Sequence, residues 1–170
     1  MTDQALLARD VGFMEHEAPA LAHGQAVNEA VAIAAFATAT FPASPDGFAR
    51  LAGHQLVARL QSFALHVRRD LELRDLRGLS VADGRWTYSA VTYETSVWTI
   101  VNRILHARSL HVRMVDRGKE VFSNLGDCFV LYAVVVSDQG GWTYFDPLGL
   151  VFAYLSQIPE TQTLPTFGAG

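Results

Sequence analysis

Among its 170 residues the chain has one cysteine, Cys128, and one lysine, Lys119. A single cysteine rules out an internal disulfide framework and any multi-cysteine zinc site. No long apolar run is present. The longest alanine-rich stretch, 30–41, is too short to span a bilayer and is broken by Thr38 and Thr40. The first residues, MTDQALLARD, lack the basic start and apolar core of a signal peptide. The 13 glycines are scattered through turns, so no phosphate-cradling loop is formed. The six histidines are His16, His23, His54, His66, His106 and His111. None falls in a His-x-x-x-His, Glu-x-x-His or His-Glu-x-x-His pattern, so neither metal nor cofactor is expected.

What is present is an ordinary globular composition. Half of the residues are hydrophobic and 18% are charged, which excludes a disordered chain. The length suits one domain over 1–170 with a real core. The expected division is a helical part over 1–78, a helix plus antiparallel sheet over 79–158, and a tail over 159–170. The net charge of -4 argues against bulk nucleic-acid binding. The charge is nonetheless uneven. Residues 59–119 hold 11 of the 13 basic side chains but 6 of the 17 acids. Such a stretch is either a solvated face whose charges cancel locally or an anion-binding surface.

Periodicity predicts the elements. Thr2 or Asp3 caps a first helix that Pro19 ends or interrupts. A second helix over about 23–40 presents Val27, Val31, Ala34 and Ala35 as its stripe. Ser44-Pro45-Asp46 starts a third, along which Phe48, Leu51, Leu56, Leu60, Phe63, Val67 and Leu71 repeat at three and four residues. Residues 79–89 read as turns around Asp83-Gly84. Residues 90–108 read as a fourth helix despite their β-branched content. From Leu110 the period changes to two. Arg117-Gly118 turns the chain, with Val121-Phe122 pairing back. Cys128 to Val136 and Trp142 to Phe145 form a hairpin about Asp138–Gly141. Asp146–Gly149 reads as a turn, and 150–158 as a strand or short helix. The expected fold is α+β: about four N-terminal helices packed on a C-terminal antiparallel meander of three to five strands.

The strand 128–136 is apolar on both faces, whereas an antiparallel sheet usually keeps one face wet. Its faces read as Cys128/Val130/Tyr132/Val134/Val136 and Phe129/Leu131/Ala133/Val135. One needs cover beyond the N-terminal helices. The leading functional expectation is therefore a non-enzymatic binding or assembly module that buries this face in a homo-oligomer or against a protein partner. It is expected in the cytoplasm and not in a membrane.

Two alternatives rest on side-chain chemistry. Cys128, His111 and Asp146 are the candidates for a thiol nucleophile, its base and the base's orienting group, in a small hydrolase or transferase with a pocket between helices and sheet. The stretch 141–149, GWTYFDPLG, resembles the Asp-bearing strand of papain-like and transglutaminase-like hydrolases. Those families place the histidine after the cysteine, and here no histidine follows His111. The second alternative is anion or nucleotide binding by the arginine-rich stretch 103–117, with Arg103, His106 and Arg113 as ligands. Trp142 and Tyr144 share a strand face and are candidates to line a pocket or an interface.

Overall fold

The computed structural model describes residues 3–43, 47–82, 91–122, 124–138 and 140–158, with only the backbone over 3–17 and at 117. The order is α1 (Asp3–Thr38), β1 (Phe41–Pro42), α2 (Phe48–Leu73), α3 (Val97–Leu105), β2 (Ala107–Gly118), β3 (Asp127–Ser137), β4 (Gly141–Phe145) and α4 (Pro147–Gln157). The fold is α+β with an antiparallel sheet, as expected. The helices do not all precede the sheet, however. α3 separates α2 from β2, and α4 follows β4 to pack back on α1.

α1 runs unbroken through Pro19, where two helices were expected. Proline removes one intrahelical hydrogen bond. The flanking Ala18, Ala20 and Ala22 are strong helix formers that carry the helix past it. The buried stripe is Ala22, Ala26, Ala30, Ile33 and Ala37, and the expected Val31 is 65% exposed. The stripe is built mostly of small side chains, while Val27 is half-buried and Val31 is turned outward.

α2 buries Leu56, Leu60, Phe63, Val67 and Leu71 as its spacing predicts, but leaves Phe48 and Leu51 exposed. The expected Ser44-Pro45-Asp46 start lies outside the described residues, as do Asp83-Gly84 and the tail. Gly47 precedes α2 with φ 84, a left-handed conformation that suits glycine. Only the second half of 90–108 is helical. Ser96 caps α3 by accepting the Thr99 N–H on its Oγ at 3.2 Å. Tyr93, expected on the helix, instead forms a bridge to Tyr144 at the far edge of β4.

β3 is the centre of the sheet. β2 pairs along its whole length, while β1 and β4 share its other edge at opposite ends. Val121 and Phe122 do not form a strand. Their N–H groups donate to the Asp127 carboxylate at 2.8 and 2.7 Å. Asp146–Gly149 is not a free turn but the start of α4. Asp146 accepts the Leu148 N–H at 3.0 Å, and Pro147 opens the helix, where its missing N–H is harmless.

A register shift decides the faces of β3. Arg113 is opposite Tyr132, but Met114 is opposite Val130, so Leu131 is the extra residue of a β-bulge. The bulge reverses the alternation, and the two expected faces exchange members there. Val130, Ala133 and Val135 belong to the core, together with Phe145 and residues of all four helices. Tyr132, Val134 and Val136 lie on the opposite, outer face.

Candidate functional site

Strand pairing arranges the outer face in rows. His111, Val134 and Tyr144 form one row across β2, β3 and β4, and Ser109, Val136 and Trp142 form the next. Arg113 stands opposite Tyr132. The rings then stack into a continuous series. Tyr93 lies 6.4 Å from Tyr132, Tyr132 lies 5.5 Å from Tyr144, and Trp142 lies 6.5 Å from Tyr144. The first two pairs are edge-to-face, a favoured aromatic geometry. Val134 is only 7% exposed beneath this series, whereas Trp142 is 66% exposed at its end. The face is thus divided, with aromatic rings on β4 and the exposed His111 and Arg113 on β2.

The candidate thiol trio is not brought together. Cys128 is opposite Asp116 and Phe41 at one end of the sheet, while His111 lies five residues further along β2, about 17 Å at the usual strand rise. Asp146 is buried beyond β4 and engaged in capping α4. Burial, then the negative charges of Asp116 and Asp127, push the Cys128 thiol up. That is the opposite of what nucleophile activation requires.

The arginine-rich stretch also disperses. Arg103 donates to Ser137 Oγ at 2.9 Å and covers the hairpin turn, where a Cβ at Gly140 would collide with its guanidinium. Arg108 pairs with Asp138, and His106 is the exposed C-terminal cap of α3. Arg68 and Arg77 sandwich the Trp98 ring at 4.7 and 4.9 Å. Arg59 pairs with Glu29 at 3.2 Å. Of the expected anion ligands, only Arg113 remains with the candidate aromatics Trp142 and Tyr144 on one face.

A buried polar node joins α1, α2 and α4. The Tyr154 hydroxyl donates to Asp70 Oδ2 at 2.8 Å, and Arg74 Nε donates to Asp70 Oδ1 at 2.7 Å. His23 Nδ1 lies 2.8 Å from the Tyr154 oxygen. Because the hydroxyl proton goes to Asp70, His23 Nδ1 is the donor in this contact. Burial and the bond to Asp70 push the Tyr154 hydroxyl well above the ordinary tyrosine range. Arg74 Nη2 is buried without a hydrogen-bond partner among the described residues. Sequence spacing alone did not single out this node. The available signal was an aspartate on the apolar stripe of α2, one residue from Leu71 and three from Val67.

A third feature is a cleft of about 550 Å³ between α2 and β2, with Val57, Leu110, Val112 and Met114 among its lining residues. Arg50, His54 and His111 also line it. Gly53, in the middle of α2, faces it. Glycine in a helix costs about 1 kcal/mol relative to alanine. Here no close contact demands it, since a Cβ would meet only Met114 Sδ at 3.9 Å.

Among the described residues no group of three or more His, Cys, Asp or Glu side chains could hold a metal ion. No helix among them is long and apolar enough to cross a membrane. Comparison with protein-family models, curated proteins and solved structures gives no match.

Proposed function

We propose that this protein is a non-enzymatic assembly module that pairs with a second copy of itself through the outer face of its sheet. The observation that carries this reading is the exposed Trp142 at the end of an aromatic series on β4, across the sheet from His111 and Arg113 of β2. Such a divided face is self-complementary. A two-fold axis in the interface, parallel to β3, lays β4 of one copy over β2 of the other. Tyr144 then meets the partner's His111, and Arg113 lies over the partner's aromatic series in cation–π contact. Sheets packed this way are aligned and about 10 Å apart, the usual sandwich geometry.

The scattered thiol trio and the raised thiol support a binding role over catalysis. The chain is read as one folding unit, because a continuous hydrophobic cluster takes residues from all four helices and from β3 and β4. A lone thiol suits a reducing compartment such as the cytoplasm.

Gel filtration of wild type and Trp142→Ser tests the interface. Wild type is expected to elute as a dimer, and the variant to dissociate at protein concentrations at least about tenfold higher, the effect of losing a central aromatic anchor. Identical elution of both proteins would remove the aromatic face from the account.

A further inference from the structure

We infer that the cleft between α2 and β2 is a binding site for a small monocarboxylate with an apolar body, such as a medium-chain aliphatic acid. The cleft's volume of about 550 Å³ lies within the usual range for small-molecule sites. Its lining has two characters. Val57, Leu110, Val112 and Met114 offer apolar surface, and methionine adapts its shape to the ligand it meets. Arg50 and His54 supply donors on α2, and no aspartate or glutamate is among the described lining residues. Among the arginines with described side chains, Arg59, Arg68, Arg74, Arg77, Arg103 and Arg108 are engaged with carboxylates, hydroxyls or rings, whereas no described residue pairs with Arg50. Its guanidinium folds back over the start of α2, 3.7 to 3.8 Å from where a Cβ on Gly47 would stand. A planar fork with no partner among the described residues is well suited to a bidentate carboxylate.

Gly53 is the independent observation. Its backbone is helical and does not need glycine, and its nearest neighbour leaves room for a methyl group. Helix stability is sacrificed at an α2 position where a larger side chain would enter the cleft. An apolar body over Gly53, with its carboxylate on Arg50 and His54, accounts for both features. Inorganic phosphate would leave the apolar surface unused. The site lies on the core-side edge of β2. His111 borders both it and the proposed interface, whereas Arg50, Gly53 and His54 stand on α2.

Isothermal titration with octanoate, acetate and 1-octanol tests the inference. Octanoate is expected to bind saturably, one per chain, at least about tenfold tighter than either control, because only it uses both the Arg50 and His54 donors as a carboxylate and the apolar surface. Arg50→Gln combined with His54→Gln, both exposed and outside the core, is expected to weaken octanoate by about 10–100-fold, the range for charge-assisted hydrogen bonds. Gly53→Leu is expected to abolish binding of the chain. If Gly53→Leu fails to fold, the paired glutamine variant decides the matter, with circular dichroism confirming its fold. Absence of saturable octanoate binding, equal affinity for 1-octanol, or unchanged affinity in the glutamine variant would each overturn the assignment.

Discussion

Cys128 and Tyr154 show what burial does to a side chain that sequence reading treats as reactive or ordinary. The Cys128 thiol is buried beside two carboxylates and held in its protonated form. Native protein is therefore expected to resist iodoacetamide at neutral pH, and to be alkylated only at the rate of unfolding. Rapid native alkylation would mean an accessible thiolate. Tyr154 has the opposite interest, because its proton is structural. Its folded-state pKa is raised, so the folded chain keeps the proton where the unfolded chain loses it. This contribution is complete below about pH 10 and is lost as pH rises past the ordinary tyrosine value. Tyr154→Phe leaves Asp70 Oδ2 and His23 Nδ1 each short of a partner. The expected cost is about 1–3 kcal/mol at neutral pH, with a flatter alkaline decline than wild type in urea titrations. Parallel pH profiles for the two proteins would contradict this role. The node was illegible because Asp70 and Tyr154 are 84 residues apart and His23 and Tyr154 131 apart. No local pattern joins them.

At the scale of the elements, strong local chemistry was legible and weak patterns were not. The buried stripe of α2 from Leu56 onward and the pairing of β3 with β4 match expectation, because large apolar side chains and a clear turn mark them. α1 was read with its face rotated, since alanine fits both the buried and the exposed side. The Asp-Pro pair at Asp146 was read as a turn, although the same signature opens helices. Asp146→Ala is expected to cost about 1 kcal/mol by removing the α4 cap, measured by thermal unfolding. A neutral result would mean that Pro147 alone starts the helix. A glycine inside a helix commonly marks close packing. The space found above it predicts the reverse: Gly53→Ala should raise stability by about 0.5–1 kcal/mol. A loss of stability would mean that Met114 cannot yield to even a methyl group.

For the whole molecule, the sequence posed the right question about β3 but assigned its faces incorrectly. Strict alternation put Tyr132 and Val130 together. The bulge at Leu131 separates them, turning one toward the core and the other outward. An extra residue in a strand changes no residue type, so nothing in the local pattern announces it. The consequence is an outer face built from rings rather than bare aliphatic surface. That face gathers His111, Arg113, Trp142 and Tyr144, which the sequence had divided between catalysis and ligand binding. The folded chain shields Val134 there but leaves Trp142 out, and a second copy would complete the layer. A stable pair needs about 800 Å² buried per partner.

Sedimentation equilibrium of the wild-type protein, from nanomolar to high micromolar concentration, tests this most directly. Self-association through the outer face predicts a reversible monomer–dimer curve, shifted toward monomer by Trp142→Ser and by Arg113→Glu. A single monomeric species over the whole range, identical in all three proteins, would contradict it.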